Sequence, residues 1–244
     1  MNKDEFIFGT RAVMEAIKTN RLIEKIFIKK GLKNELSQEL FQLLKEEQIP
    51  FQFVPLEKIN RITRKNHQGV LALLAPVEYH NIETLLPGIF EEGKDPFLLI
   101  LDQITDVRNL GAIVRSAECA GVNAIIIPEK GMARISGDAV KTSAGAIHHV
   151  PICKVPSLSK TIRFLKNSGV KIVAATEKAT TLYTSAKLNE PVAIVMGSEE
   201  SGISNTVLQL TDEQVMIPVL GKIQSLNVSV AAAIILYEVV RQRN

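Results

Sequence analysis

The sequence predicts an α/β protein with a small N-terminal domain and a larger domain built on a parallel sheet. From residue 96 onward, short, solidly apolar segments alternate with segments of helical periodicity. This is typical of parallel strands that are covered on both faces. A chain of 244 residues is long enough for two domains. The four apolar segments are residues 97–101, 124–127, 171–175 and 192–196.

The first third of the chain predicts the smaller α/β domain. Residues 34–47 place four leucines on one face of a helix. Residues 79–94 contain Pro87-Gly88 and a charged run, which predict a connection between domains that is partly helical. The short strands expected in this domain are residues 6–8, 25–29, 51–54 and 70–74. The resulting division is 1–78 for the first domain, 79–94 for the linker and 95–244 for the second domain.

Composition excludes several classes of protein. No apolar run approaches the ~20 residues that a membrane helix needs, and the first residues show no secretory signal. Cys119 and Cys153 cannot build a disulfide framework and make no zinc pattern with the four histidines. His148 and His149, as neighbours in a strand, would point to opposite faces. We expect a cytoplasmic protein without a metal.

Charge is distributed unevenly along the chain. Residues 1–78 hold 13 Lys and Arg against 10 Asp and Glu, whereas residues 79–244 hold 16 against 16. The excess that sets the net charge of +3 therefore lies in the N-terminal third. This favours a contact between that domain and a polyanion, although an ordinary solvated surface would look the same.

Ligands of open α/β sheets bind beyond the carboxyl ends of the strands, and three loops at plausible strand ends are chemically unusual here. The first loop, residues 102–115, holds Asn109 and Arg115 about a turn and a half apart, so both can reach the loop mouth. Asp106 or Asn109 would cap the helix that begins there. Taken alone, a capped helix with a surface arginine also explains this loop.

The second and third loops strengthen the case for a ligand. Residues 196–204 bracket Glu199 with glycines, which let a backbone approach a ligand closely, but a plain turn is the alternative. The dinucleotide pattern G-x-G-x-x-G is absent from the chain. In residues 217–231, Ser225 or Asn227 would cap the final helix, with or without a ligand. Three such loops in order predict a site better than any one of them.

Through the residues of these three loops and of the N-terminal domain, the chain resembles the SpoU/TrmH family of RNA 2′-O-ribose methyltransferases along essentially its whole length. Val107 and Glu200 depart from a proline and a glycine that are common in the family, and Arg11 replaces a common histidine. The first, second and third family motifs correspond to residues 109–115, 197–202 and 217–228. Residues 8–13 and 67–70 resemble its N-terminal RNA-binding domain, which has a ribosomal-protein-like fold.

The resemblance implies a deep trefoil knot in residues 95–244, in which S-adenosylmethionine binds largely through backbone groups. Asn109 would orient the ribose or Arg115, and Glu199 would position Arg115 or a nucleotide. The implied catalytic group is Arg115, Asn109, Glu199, Ser225 and Asn227. The implied donor-binding group is Gly197, Ile217, Leu226, Ser225 and Asn227.

Arg115 corresponds to the base that the family is proposed to use against the ribose hydroxyl. A free arginine is a hydrogen-bond donor and not an acceptor, so keeping it neutral near pH 7 is costly. The alternative is that Arg115 binds the target's phosphate or steadies the developing alkoxide.

The resemblance is strongest to members that methylate a guanosine in 23S rRNA, and it implies a homodimer. The final helix, expected from about Leu226 to Arg241, is apolar nearly all round and must be buried by the domain or a second subunit. Methylation of tRNA and a non-enzymatic role in ribosome assembly are the alternatives. The RNA contacts are expected from Arg11, Arg61, Arg64 and Lys65.

Overall fold

The computed structural model describes residues 6–223 and 225–244. The chain divides into two compact units between Val77 and Glu78. That boundary lies within one residue of the end expected for the first domain.

The small unit is a four-stranded mixed sheet in the order β1-β4-β2-β3. β4 pairs antiparallel with both β1 and β2, and β3 pairs parallel with β2. The helices α1 and α2 pack on one face of the sheet, whereas α3 packs on the other. In chain order the elements are β1 (Phe6–Phe8), α1 (Thr10–Lys18), β2 (Ile23–Lys29), α2 (Glu35–Glu46), β3 (Phe51–Val54), α3 (Leu56–Ile62) and β4 (Val70–Leu74).

The large unit is an eight-stranded parallel sheet with the order β10-β12-β9-β11-β6-β7-β8-β5. β6 and β11 lie at its centre, and every residue in these two strands is buried. The strands are β5 (Tyr79–His80), β6 (Phe97–Leu101), β7 (Ala124–Pro128), β8 (Ile152–Val155), β9 (Lys171–Ala175), β10 (Thr181–Leu182), β11 (Val192–Met196) and β12 (Glu213–Met216). The helices are α4 (Ile82–Glu91), α5 (Val107–Cys119), α6 (Gly137–Thr142), α7 (Leu158–Asn167), α8 (Asn205–Leu208) and α9 (Val228–Arg243).

The predicted α/β class is confirmed, and the four apolar segments are the strands β6, β7, β9 and β11. Residues 79–94 differ from the expected linker, because they form β5 and α4 of the large unit. Ile82, Leu86 and Ile89 recur at helical spacing and are buried in the core of that unit. Burial of this apolar face, in spite of Pro87 inside the helix, explains why the segment folds with the sheet.

His148 and His149 do not lie in a strand as expected. Residues Ala146–His148 form a short 3-10 helix, His149 follows it, and both histidines are exposed. Within the described ranges, no three His, Cys, Asp or Glu side chains are grouped as metal ligands would be. Across the same ranges, no helix has the length and apolar character needed to cross a bilayer.

The two cysteines are free and lie in different environments. Cys119 ends α5 and is exposed, whereas Cys153 lies in β8 and is fully buried. Burial raises the pKa of the Cys153 thiol to about 11, because the thiolate would lose its hydration. Cys153 is therefore a core side chain and not a nucleophile.

Helix α5 approaches α6 closely at Gly111. A Cβ at this position would lie 2.7 Å from the Cβ of Thr142 and 3.0 Å from the carbonyl oxygen of Ala139. A larger residue would force the helices apart. The glycine in the segment Asn109–Arg115 is thus explained by helix packing, which sets the position of α5 below the loops at the strand ends.

Helix α9 begins and ends two residues later than expected, and its C-terminal end is firmly anchored. The guanidinium of Arg243 donates to the carbonyl oxygens of Asp95, Pro96 and Glu190. Glu238 is only 5% exposed and accepts from Arg241, and this hydrogen bond lowers the pKa of the Glu238 carboxyl. The helix is therefore fixed against the sheet even though part of its apolar surface is uncovered.

Candidate active site

A cleft of about 270 Å³ opens at the carboxyl ends of β9, β11 and β12. These strands are parallel, so their C-terminal loops gather at one edge of the sheet. The walls come from residues 175–178 after β9, from residues 196–203 after β11, and from the segment between β12 and the first turn of α9. Two of these three walls are loops that the sequence singled out.

The loop after β11 folds tightly back on itself. Ser198 and Gly202 exchange two backbone hydrogen bonds of 3.0 and 3.1 Å. A Cβ at Gly197 would lie 2.2 Å from the carbonyl carbon of Gly202 and 2.3 Å from the nitrogen of Ile203. Only glycine allows this closure, and the bare backbone of Gly197 forms part of the cleft wall.

Three side chains from the three predicted loops meet beside the cleft, and we call Asn109, Glu199 and Asn227 the three-loop junction. The amide nitrogen of Asn227 donates to Oε1 of Glu199 and, over 3.0 Å, to Oδ1 of Asn109. The amide nitrogen of Asn109 donates to the same Glu199 oxygen over 3.4 Å. The sequence pattern predicted that these loops would converge, and the structure brings them together.

The junction is held by the start of α9. Asn227 is the N-cap of this helix, and its Oδ1 accepts from the backbone nitrogen of Ser229 over 3.0 Å. The backbone nitrogen of Val228, one of the unpaired donors of the first turn, donates to Oε1 of Glu199 over 3.0 Å. Negative charge is favoured at a helix N-terminus, so α9 both positions Glu199 and stabilises its carboxylate.

Asp102, which follows β6, joins the first loop to the second. Its carboxylate is 5% exposed and accepts from the backbone nitrogen of Ser204 over 2.8 Å. Its own backbone nitrogen donates to the carbonyl oxygen of Met196 over 2.9 Å. The next residue, Gln103, accepts from the hydroxyl of Ser201 over 3.1 Å. These bonds fix the loop that carries Glu199 against the loop that leads into α5.

Arg115 lies two turns along α5 and is not part of the junction. Its side chain is exposed and makes no hydrogen bond or ion pair with any residue that the structure describes. Glu199 was expected to position Arg115 or a nucleotide, but it binds Asn109, Asn227 and Val228 instead. Arg115 shares an exposed face of α5 with Arg108, seven residues earlier, so two cations point the same way.

The cleft contains most of the residues expected to bind a donor. Gly197, Ile217, Ser225 and Leu226 line it, whereas Asn227 lies beside it and caps α9. The expected alternatives for the helix caps are resolved in favour of Asp106 for α5 and Asn227 for α9. Sequence reasoning missed residues 175–178, although the rule that ligands bind beyond parallel strands applied equally to β9.

The residues expected to contact RNA belong to the small unit. Arg61 lies in α3, Arg64 and Lys65 follow it, and all three are exposed. Arg11 is exposed in the first turn of α1, on the other side of the sheet.

The two N-terminal segments that resemble the family meet each other. Gly9 donates to the carbonyl oxygen of Val70 over 3.0 Å, and the nitrogen of Thr10 donates to Oε1 of Gln68 over 3.4 Å. His67 is buried, accepts from the nitrogen of Gly69 over 3.0 Å and bonds to Asn60 over 2.9 Å. His67 therefore shapes the turn before β4.

Comparison with known proteins identifies the class of this fold and site. A model of the SpoU rRNA Methylase family matches residues 96–237, and a model for RNA 2′-O ribose methyltransferase substrate binding matches residues 6–80. The putative TrmH family tRNA/rRNA methyltransferase YacO of Bacillus subtilis is 34% identical over 98% of this chain and 96% of its own length. A putative TrmH family tRNA/rRNA methyltransferase of Staphylococcus aureus is 38% identical over 99% and 98%.

Solved structures agree with this assignment. A crystal structure of an RNA 2′-O ribose methyltransferase is 28% identical, with a TM-score of 0.57 over 98% of this chain and 88% of that one. The SpoU methyltransferase AviRb from Streptomyces viridochromogenes, crystallised with AdoMet, shares the fold at 22% identity, with a TM-score of 0.62 over 98% and 90%.

The parallel α/β unit with its cleft at the strand ends matches the methylase family model, and the small unit before it matches the substrate-binding model, so fold and site define an RNA methyltransferase. The chain belongs to the SpoU family and is an RNA methyltransferase of the SpoU/TrmH type.

Proposed function

We propose that this chain transfers the methyl group of S-adenosylmethionine to the ribose 2′-hydroxyl of a guanosine in 23S rRNA. The observation that carries the proposal is the three-loop junction, in which one side chain from each family motif binds the others beside the cleft. The family description, which names rRNA, and the AdoMet bound to AviRb support it.

The cleft fits a positively charged, nucleotide-like donor. Met196, Ile203 and Ile217 provide apolar wall. Among the described lining residues, the carboxylates of Glu177, Glu199 and Glu200 outnumber the one ammonium, that of Lys178, which suits a cation. When bound, S-adenosylmethionine supplies an electrophilic methyl group on a sulfonium centre, which requires no metal. The backbone groups that would hold it are those of Gly197, Ile217 and Leu226, where the glycine leaves the chain bare for close approach.

The junction is suited to bind the target ribose. Glu199 uses Oε1 for its contacts with Asn109, Asn227 and Val228, and its Oε2 accepts no hydrogen bond from the described residues. The free oxygen can orient a ribose hydroxyl or a base N–H. Ser225 lies exposed on the rim and adds a hydroxyl to the same pocket. We assign Arg115, whose side chain has no partner among the described residues, to the phosphate or the developing alkoxide of the target.

The alternative substrate is tRNA, because the curated relatives are described as tRNA/rRNA methyltransferases. The tRNA-modifying TrmH/SpoU enzyme of A. aeolicus is 32% identical, but the match covers only 61% of this chain. In this chain, residues 6–80 match the substrate-binding model and residues 96–237 match a family model whose description names rRNA. This combination favours rRNA as the substrate.

Ribose methylations mapped in the rRNA and tRNA of a strain that lacks the protein will decide the substrate. The proposal predicts that one 2′-O-methylguanosine disappears from 23S rRNA while tRNA is unchanged. Loss of a methylation from tRNA alone would establish the alternative. An unchanged map in both RNAs would point to a non-enzymatic role in ribosome assembly.

We expect a homodimer that is stable at micromolar concentration. Several apolar side chains around the cleft and on α9 remain uncovered in a single chain, and two of them, Val230 (49% exposed) and Tyr237 (50%), share one face of α9. Sedimentation should give about twice the chain mass of 26.9 kDa. Tyr237→Glu should shift the protein to the monomer, whereas Glu83→Lys, on the N-terminal turn of α4, should not. A wild-type monomer that is fully active would contradict the expectation.

Three further properties follow from the family and complete the proposal. The segment between β12 and α9 forms part of a deep trefoil knot, as the family resemblance implies. The protein acts in the cytoplasm, where its RNA substrate is made. The small unit, with a ribosomal-protein-like fold, binds the RNA without taking part in the chemistry.

A further inference from the structure

The two faces of the small sheet are covered unequally. α1 and α2, of 9 and 12 residues, cover one face, whereas α3 has only 7 residues on the other. On that second face, which we call the α3 face, Phe6, Phe8 and Leu73 pack around the buried cluster but remain partly exposed. The α3 face is therefore a half-covered sheet surface with aromatic rings at its edge.

Strand alternation places lysines on the α3 face. Ile26 and Ile28 of β2 are buried in the core under α1 and α2, whereas Phe27 packs in the cluster under α3. Neighbouring side chains of a strand point to opposite faces, so Lys25 and Lys29 lie on the same face as Phe27. The register agrees, since Lys25 lies opposite Leu73, a member of the α3-side cluster.

The α3 face has a strong excess of positive charge. Among the described residues, the face positions of β1 to β4 and the segment 55–65 contribute one carboxylate, Glu57, while Glu24, at the register shift between Ile23 and Lys25 of β2, is assigned to neither face. The opposing helices α1 and α2 contribute 3 cations and 4 carboxylates, so their face is balanced. The cations of the α3 face are Lys25, Lys29, Lys58, Arg61, Arg64 and Lys65.

These cations are not neutralised within the described part of the chain, where none of them forms a salt bridge. Two lie over aromatic rings instead. The ammonium of Lys58 is 4.7 Å from the ring centroid of Phe27, and that of Lys65 is 6.0 Å from the ring of Phe8. Ring contacts hold the ammonium groups near the sheet without removing their charge, which leaves it available to an anion.

We infer that the α3 face is the surface on which the small unit binds the phosphate backbone of substrate RNA. The inference rests on the proposed function for the choice of RNA, and on charge complementarity for the choice of face. It extends the contact expected from Arg61, Arg64 and Lys65 to Lys25, Lys29 and Lys58. It leaves Arg11, on α1, outside the surface.

The test compares two triple variants of the full-length protein that lose equal charge. Lys58→Gln/Arg61→Gln/Arg64→Gln alters the α3 face, and Lys18→Gln/Arg21→Gln/Lys45→Gln alters exposed positions elsewhere on the small unit. Binding to protein-free bulk bacterial RNA, containing both rRNA and tRNA, is measured over a range of salt concentrations. Thermal stabilisation by S-adenosylhomocysteine reports whether the large unit is intact.

We expect the α3-face variant to bind RNA at least about 10-fold more weakly, with the slope of log K against log salt reduced by about 2. The matched variant should stay within about 2-fold of wild type. Equal losses in both variants, or a loss in the matched variant alone, would overturn the inference and leave the methyltransferase assignment standing. If the α3-face variant alone loses RNA binding and the wild-type protein transfers no methyl group, the inference stands and the methyltransferase assignment falls.

Discussion

The variant Gly197→Ala should lose binding of the methyl donor and of its product. An added Cβ would lie 2.2 Å from the carbonyl carbon of Gly202, far inside van der Waals contact, so the loop after β11 must open. Opening breaks the paired hydrogen bonds between Ser198 and Gly202 and moves Glu199 away from the N-terminus of α9. We expect affinity for S-adenosylhomocysteine to fall at least about 100-fold, a change of about 2.7 kcal/mol.

The measurement is thermal stabilisation by S-adenosylhomocysteine, checked by calorimetric titration. Gly88→Ala is the matched control, because a Cβ at Gly88 has no heavy atom within 4 Å and this position lies inside α4. It should bind the product normally and be slightly stabilised, since alanine is the better helix former. Normal binding by Gly197→Ala would show that the cleft beside this loop is not the donor site.

The variant Arg115→Ala should lose about 100-fold or more in the rate of methyl transfer while it keeps donor affinity. Arg115 lies outside the cleft lining, and its exposed side chain has no partner in the described structure, so it is free to bind target RNA. Arg115→Lys should also be strongly impaired at every pH, because an ammonium reproduces the planar, two-point grip of a guanidinium poorly.

Single-turnover methylation with saturating donor, from about pH 6.5 to about pH 9.5, separates this clamp from a base. A lysine acting as base would make the rate of Arg115→Lys climb about tenfold per pH unit while wild type stays flat, and that profile would defeat the clamp. Arg163 is an exposed arginine on helix α7. The variant Arg163→Ala controls for the loss of one surface charge and should retain the wild-type rate.

Much of the large unit was predictable because its central strands are short, solidly apolar and separated by helices. β6, β9 and β11 have the predicted limits. β10 and β12 could not be predicted from pattern, since β10 has two residues and β12 begins with Glu213 and Gln214. Their strand conformation depends on pairing between distant parts of the chain, which is a tertiary effect. β12 pairs with β9, and β10 pairs with β12 at the edge of the sheet.

The candidate site was predictable as a set of loops but not as a set of contacts. Parallel strands bring their ends together, which is why Asn109, Glu199 and Asn227 could be expected to converge. The hydrogen bond from the backbone nitrogen of Val228 to Glu199 could not be expected, because it depends on the N-terminus of α9 reaching the loop after β11. Residues 175–178 escaped notice since they contain no glycine pattern or capping signal, although they line the same cleft.

The central claim is that this chain methylates a ribose hydroxyl of RNA with a donor held in the cleft at the strand ends. The most direct test incubates the purified full-length protein with methyl-tritiated S-adenosylmethionine and protein-free 23S rRNA from a strain that lacks the protein, then separates the digested nucleosides. The account predicts label in 2′-O-methylguanosine with wild type and Gly88→Ala, and none with Gly197→Ala. Label in a base-methylated nucleoside, or equal transfer by Gly197→Ala, would contradict it.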